Sequence, residues 1–202
     1  MKNLLNVLSS PATPTAAVAL VAYGLLVGTP ACAQTAPAKL DAAKSEIVFV
    51  SKQMGVPVDG RFRKFDAQIA FDPKKPETGK VGFTIDIGSA TVGVPETDVE
   101  LPKPAWFGAA KFPQATFQST SIKATGAGRF DVTGKLSIKG SSRDVVVPVQ
   151  LAQAGGVSTA TGSFTLKRLD FKIGDGEWAD TSMVANDVQV KFKLSLGGVP
   201  AL

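Results

Sequence analysis

Hydrophobic and polar residues alternate along most of the chain after residue 40. The clearest stretch, residues 65–72, places Phe, Ala, Ile and Phe at every second position, with Asp, Gln, Ala and Asp between them. Successive side chains of a β-strand point to opposite faces, so this spacing is typical of a strand with one buried face and one solvated face. The chain is therefore predicted to form antiparallel β structure whose apolar faces meet in a core.

Eight strands of this kind are predicted, and turn residues such as Asp72-Pro73 and Gly155-Gly156 separate them. No segment has helical periodicity. Amphipathic strands must bury their apolar faces together, and eight of them do so either as a sandwich or as a closed barrel that holds one small ligand. We expect an all-β, eight-stranded antiparallel barrel, with strands at residues 46–52, 65–72, 81–87, 116–124, 130–138, 143–150, 159–167 and 188–196.

Residues 90–112, between the third and fourth predicted strands, interrupt the alternation. This segment contains Pro95, Pro102 and Pro104, and proline at that density excludes a regular strand or a long helix. We expect a long loop or short helical turns. Trp106 and Phe107 either cover one end of the barrel or plug the end of its core, and the sequence does not distinguish these alternatives.

The first 33 residues have the order of a secretory signal peptide. Lys2 precedes an apolar run over residues 16–28, and Ala31 and Ala33 form a small-residue cleavage pattern. Two alternatives are an uncleaved anchor helix and a lipoprotein acylated at Cys32. We predict a cleaved signal peptide at 1–33, a mature barrel domain at 34–202 and a periplasmic location.

The composition excludes several classes of function. The chain has no His and a single Cys, Cys32, which lies in the predicted signal peptide. Nucleophilic catalysis that uses a His base, zinc binding and disulfide bonding are therefore not expected in the mature domain. The acids Asp170, Asp175, Glu177 and Asp180 share one Gly-bearing loop, which favours solvated turn residues over a catalytic pair. We expect no enzyme activity, no metal and no cofactor.

Charge also argues against nucleic acid as a partner. The 22 basic and 17 acidic residues give a net charge of +5, and the basic residues are scattered among polar strand positions. The predicted interior is apolar, which suits a long hydrocarbon guest. Alternation alone does not tell a hollow barrel from one filled by side chains. The candidate wall residues are Phe49, Phe65, Ile69, Phe83, Ile85, Phe117, Leu136, Ile138, Phe164 and Phe192.

Three motifs carry a resemblance to a known family. They are Gly-Arg-Phe-Arg-Lys-Phe-Asp at 60–66, Phe-Pro-Gln-Ala-Thr-Phe-Gln-Ser-Thr at 112–120 and Arg-Leu-Asp-Phe-Lys-Ile-Gly at 168–174. With them, residues 40–197 resemble the YceI-like family, a periplasmic, lipocalin-like group that binds polyisoprenoids. The resemblance implies a lipocalin-like barrel that holds an isoprenoid lipid, such as a ubiquinone or a polyprenyl phosphate. Relatives often carry His in the segments that correspond to 53–55 and 97–101, and this chain does not.

Four residues are candidates for the barrel mouth or for contact with a polar headgroup: Trp106, Phe107, Arg168 and Trp178. The guanidinium of Arg168 offers a fork of donors that suits phosphate or carbonyl oxygens. The alternative for Arg168 is an ion pair with an acid in the loop 170–177.

The segment 173–180 resembles a subset of the family that is associated with membrane b-type cytochromes. The resemblance therefore makes such a cytochrome a candidate partner, and a homodimer stays open. The alternative function is a non-catalytic structural or stress-related barrel with a filled core, which binds the cytochrome or another protein partner.

Overall fold

The computed structural model describes residues 36–202, and the predicted signal peptide at 1–33 lies outside them. The described chain is nearly all β, as predicted, and it forms one antiparallel sheet of ten strands. The strands are β1 Lys39–Gln53, β2 Val56–Phe62, β3 Phe65–Ala70, β4 Lys80–Asp86, β5 Ala90–Thr91, β6 Gln114–Gly126, β7 Arg129–Ile138, β8 Ser141–Ala154, β9 Val157–Lys167 and β10 Asp187–Gly197.

Helical structure is limited to short turns. The α-helix α1 covers Pro95–Asp98, and 3₁₀ turns cover Pro76–Thr78, Ile87–Ser89, Arg168–Phe171 and Gly176–Trp178. Over residues 36–202, no helix has the length and apolar character needed to cross a bilayer. The segment 90–112 holds β5, α1 and a series of turns, which confirms the predicted loop with short helical turns.

The sheet curls so that its two ends lie against strands of the same sheet. Its order is β3-β4-β6-β7-β8-β9-β10-β1-β2-β5. At one end, Ala38 just before β1 forms an antiparallel bridge with Ile69 of β3, and its N–H donates to the Ile69 carbonyl at 2.6 Å. The other end of the order, β5, pairs with β2, and the Ile87 N–H between β4 and β5 donates to the Pro113 carbonyl at 2.9 Å, which extends the pairing of β4 with β6. The curled antiparallel sheet is the expected lipocalin-like barrel fold.

The structure has two strands more than the eight predicted, namely β2 and β5. The chain bends at residues 63–64 between β2 and β3, and the Lys64 carbonyl accepts from the Asp86 N–H at 3.0 Å. β2 and β3 thus act as two halves of one bent strand, and β4 and β5 run alongside them. β2 was missed because Pro57 and Gly60 interrupt it, and both residue types are depleted in strands.

Three inward-facing glycines make room for aromatic rings on neighbouring strands. A Cβ atom at any of these glycines would lie only 2.1 to 2.4 Å from the Cζ atom of a phenylalanine ring. The rings therefore occupy the space above the glycines, along the wall, instead of extending into the centre of the barrel. The pairs are Gly60 with Phe49, Gly134 with Phe117, and Gly162 with Phe192.

This arrangement predicts that Gly162→Ala destabilises the protein by about 1–3 kcal/mol, the usual cost of overpacking a core. The added methyl group would lie 2.4 Å from Phe192 Cζ and 2.5 Å from the backbone oxygen of Pro148, which has little freedom to move. Urea unfolding measures the change. The control is Gly197→Ala, where the nearest heavy atom is 4.0 Å away. Equal stability of the two variants would show that the close approach at Gly162 is relaxed in solution.

Candidate functional site

The interior of the barrel contains two cavities, which we call the apolar cavity and the mouth cavity. Their volumes are about 150 Å³ and about 360 Å³. The two cavities adjoin, because they share five wall residues, Ile47, Ile85, Leu136, Phe164 and Val190. The alternation of the sequence did not tell a hollow interior from one filled by side chains. The structure shows that the interior is hollow.

The apolar cavity has no polar atom in its wall. Its side chains come from most strands of the barrel and include Phe71, Ile122, Phe130, Leu151 and Leu194. Such a space offers water no hydrogen-bond partner, so it favours an apolar guest over solvent. Any ligand group that enters it must be hydrocarbon.

The mouth cavity combines an apolar wall with a small number of polar side chains. Leu101 and Phe107 come from the segment 90–112, and Ile173 comes from the segment after β9. The polar members are Ser51, Gln53, Glu96, Thr97, Glu100 and Arg168. An apolar pocket with few polar groups is the usual form of a small-molecule site, because the polar groups orient one end of the ligand.

Nine of the ten predicted wall residues line these cavities. Phe65 is the exception: it is half-buried at the start of β3 and packs against the core outside the cavity walls, because it directly follows the bend at 63–64. Ile69, Phe83, Phe117 and Phe192 line the apolar cavity, Phe49 and Ile138 line the mouth cavity, and Ile85, Leu136 and Phe164 line both.

The four predicted mouth residues all reach the mouth cavity. The rings of Trp106 and Trp178 lie 5.5 Å apart, and the Phe107 ring packs edge-on against Phe62 at 6.0 Å. The Gly174 N–H donates to the Ala105 carbonyl at 2.9 Å. This bond joins the two segments that form the mouth, residues 90–112 and residues 168–180, which we call the mouth segments. The segment 90–112 thus covers this end of the barrel, and the buried Phe107 also fills part of the core there.

Apart from Arg168, sequence reasoning missed the polar side chains of the mouth cavity. Ser51 and Gln53 extend the inward alternation of Ile47 and Phe49 along β1, so the period of two could have found them. Glu96, Thr97 and Glu100 lie on or after α1, where no strand pattern applies and only the fold brings them to the wall.

Asp98 holds α1 in place beside β5. The Thr91 hydroxyl donates to Asp98 Oδ2 at 2.5 Å, and the Val92 N–H donates to Oδ1 at 2.6 Å. The hydrogen bond from Thr91, followed by that from Val92, keeps the pKa of Asp98 below its ordinary value, because both stabilise the ionised carboxylate. These contacts set the position of the neighbouring wall residues Thr97 and Glu100.

Arg168 is buried, with 1% of its surface exposed, and it uses every donor it has within the protein. Its five N–H groups donate to five backbone carbonyls, those of Ile173, Gly174, Trp178, Val184 and Ala185, at 2.5–3.1 Å. Burial lowers the pKa of the guanidinium, because desolvation disfavours its charge.

Neither interpretation drawn from the sequence describes this arrangement. Arg168 has no donor left for a ligand, and none of its hydrogen bonds goes to an acid. The nearby acids contact other residues: Asp170 lies 3.9 Å from Arg143, and Asp175 lies 3.6 Å from Lys139. The acceptors of Arg168 are main-chain atoms, which no side-chain pattern reveals.

One of the four acids in the acidic loop, Asp180, is held in its ionised form by its neighbours. Asp180 accepts hydrogen bonds from the hydroxyl and the N–H of Ser182, and these bonds keep its pKa below the ordinary value. A general acid requires the opposite shift. In the described part of the chain, no group of three or more Cys, Asp or Glu residues is arranged to hold a metal ion.

Comparisons with known proteins point to one family. The model of the YceI-like domain matches residues 39–196. Protein YceI of Salmonella arizonae is 38% identical over 96 residues, which is 48% of this chain and 50% of that protein. Alignments with curated relatives such as this one cover about half of the relative's length.

Two solved structures resemble the barrel. BcnA of Burkholderia cenocepacia is 46% identical with a TM-score of 0.76, and the match covers 78% of this chain and 99% of BcnA. A polyisoprenoid binding domain from Saccharophagus degradans, implicated in plant cell wall breakdown, is 18% identical with a TM-score of 0.66, covering 82% of this chain and 99% of that domain. At 18% identity the second likeness shows the shared fold.

The hydrogen bonds of Arg168 predict that Arg168→Met destabilises the protein by about 3 kcal/mol or more, because five carbonyls lose their donor and buried unpaired polar groups cost about 1–3 kcal/mol each. Urea unfolding measures the loss. Arg143→Met is the control, because Arg143 is half-exposed and lies 3.9 Å from Asp170. Such a surface pair contributes about 1 kcal/mol or less. Similar losses in the two variants would contradict the structural role of Arg168.

We predict that the contribution of Asp98 to the stability of the fold depends on pH. Its folded pKa is lowered, so the stability that its hydrogen bonds contribute is present above the unfolded pKa, about 3.9, and is lost as the pH falls through the folded pKa. We expect Asp98→Ala to destabilise the protein more at pH 7 than at pH 3, as measured by urea unfolding against wild type at each pH. An equal difference at both pH values would contradict this assignment.

Proposed function

Because the chain belongs to the YceI-like domain family, we propose that it is a non-enzymatic carrier that binds an isoprenoid lipid inside its barrel. The lipid tail lies in the apolar cavity, and the polar head lies in the mouth cavity. The observation that carries the proposal is the pair of adjoining cavities, one without a polar atom and one with a few polar side chains. A molecule with a long hydrocarbon tail and a small polar head matches this division.

The tail class is supported by the shape and chemistry of the wall. Branched aliphatic and aromatic side chains line the apolar cavity, and the pairs Gly134–Phe117 and Gly162–Phe192 keep the rings of two of these side chains along its wall. Burial of hydrocarbon contributes about 0.8 kcal/mol per CH₂ group, so the ligand gains most of its affinity from the part of the tail that fills the apolar cavity. The polyisoprenoid binding domain of Saccharophagus degradans shares this fold, which favours an isoprenoid over other hydrocarbons.

The location and the protein partner belong to the same proposal. The signal-peptide pattern of residues 1–33 supports export to the periplasm. The intact mass of the exported protein tests cleavage, and we expect the mass of a chain that begins at Gln34. A membrane b-type cytochrome as partner and a homodimer stay predictions from the resemblance. The filled structural barrel is disfavoured by the two cavities.

Native mass spectrometry of the protein purified without detergent tests the carrier function. We expect a bound species that organic extraction releases, with a mass that fits a chain of isoprene units. A protein that stays empty, both as purified and after incubation with prenyl lipids, would contradict the proposal.

We predict that a substitution at Val190, which lines both cavities, weakens lipid binding and leaves the fold intact. In Val190→Phe, a larger ring occupies the junction of the two cavities, so we expect at least a tenfold weaker uptake of a prenyl quinone, measured by quenching of tryptophan fluorescence. Gln189→Phe adds the same ring at the next position of β10, on the exposed outer face, and is the control. Thermal unfolding checks that both variants fold. Equal uptake by the two would place the ligand outside the barrel.

A further inference from the structure

The mouth cavity also indicates which headgroup the protein accepts, an inference that rests on the proposed function. We propose that it selects isoprenoid lipids with a neutral, oxygen-bearing head, such as an alcohol, a phenol or a quinone, over the phosphate of the same chain. Three features of the mouth carry this proposal: a saturated cation, carboxylates on the wall, and neutral polar groups within the cavity.

The first feature is the absence of a free cationic donor. Arg168 is the only Lys or Arg among the described residues that line the mouth cavity, and its five N–H groups are all used by backbone carbonyls. Those carbonyls turn the negative ends of their dipoles toward the guanidinium and offset its charge. A phosphate binds tightly where charged groups donate hydrogen bonds to it, and this wall has no such donor to offer.

Lys139 is a buried cation that contacts Ala105 and Lys172 at this end of the barrel, and it is also committed to the protein. Its side chain is 8% exposed, and its ammonium donates to the Lys172 carbonyl at 2.5 Å and to the Ala105 carbonyl at 3.4 Å. It lies 3.6 Å from the carboxylate of Asp175 as well. Lys139 therefore braces the mouth segments and does not serve as a phosphate ligand.

The second feature is the negative charge on the wall. Glu96 and Glu100 both line the mouth cavity, and the ionised Asp98 lies between them in the sequence. Two of these three acids lie near a cation: Glu100 Oε1 lies 2.5 Å from Lys103 Nζ, and Arg63 adds to the hydrogen bonds that lower the pKa of Asp98. Among the described residues, Glu96 has no ion pair. The remaining charge repels an anionic headgroup, whereas a hydroxyl group can donate to a carboxylate.

The third feature is the set of neutral polar side chains. Ser51 and Thr97 bring hydroxyl groups to the cavity and Gln53 brings an amide. These groups both donate and accept, so they suit the carbonyl of a quinone or the hydroxyl of an alcohol. They lie in the mouth cavity and not in the apolar one, which places the head at this end.

A competition experiment tests the selectivity. Both tryptophans of the chain line the mouth cavity, so intrinsic fluorescence reports on this site alone. Delipidated full-length protein is first loaded with a prenyl quinone, which quenches the fluorescence. A polyprenol and a polyprenyl phosphate of the same chain length are then titrated, and recovery of fluorescence measures displacement.

We expect the polyprenol to displace the quinone at a concentration at least tenfold lower than the phosphate requires. Equal or better displacement by the phosphate would overturn the headgroup inference and leave the carrier function standing. Absence of quenching by the quinone, with no binding of any of the three lipids, would overturn both. The two failures are therefore distinguishable.

Charge removal identifies the residues responsible. In the double variant Glu96→Gln and Glu100→Gln, the phosphate should displace the quinone at a lower concentration. The ratio of the displacing concentrations of phosphate and polyprenol, which we call the gap, should fall at least threefold. Glu77→Gln, in the exposed 3₁₀ turn Pro76–Thr78, is the matched control for the loss of an acid outside both cavities. Added salt should also narrow the gap in wild type, because ions screen exposed charges. A gap that neither change affects would show that these carboxylates do not select the headgroup.

Discussion

A sheet that curls back on itself has a single inner face, and every side chain on that face competes for the same volume. The barrel directs many large apolar residues inward, and a small barrel of this kind encloses only enough space for side chains or for one small ligand. Glycine decides the outcome at three positions. Because Gly60, Gly134 and Gly162 lack a Cβ atom, the facing phenylalanine rings lie along the wall, and the centre of the barrel stays open. The cavities depend on these three contacts between a glycine and a phenylalanine ring.

The mouth depends on a different device, the buried guanidinium of Arg168. An ion pair with an acid would have joined two side chains, whereas five carbonyl contacts join five peptide units between residues 173 and 185. The segment that carries Trp178 is thereby held beside Trp106, although it has little regular secondary structure. The same contacts use all five N–H donors of Arg168. The residue that shapes the mouth therefore has no donor free for a ligand.

Affinity and selectivity are thus assigned to different parts of one interior. In the proposed function, the apolar cavity buries the tail and discriminates little among hydrocarbons of similar width, because dispersion and desolvation are not directional. In the same proposal, the polar side chains of the mouth cavity distinguish one headgroup from another. Its polar side chains come from β1 and from the segment 90–112, so changes in that loop can alter the preferred head without disturbing the barrel.

The sequence by itself determined the eight main strands, the long segment 90–112 and nine of the ten wall residues named from it, because a period of two is a local property that follows from strand geometry. It did not reveal β2, where Pro57 and Gly60 obscure the alternation, or that Phe65 lies outside the wall beside a bend. Only the tertiary structure decided whether the interior is hollow, since that depends on which ring faces which glycine across strands. The tertiary structure also decided the role of Arg168, because its partners are carbonyl oxygens, which every residue possesses and no side-chain pattern marks.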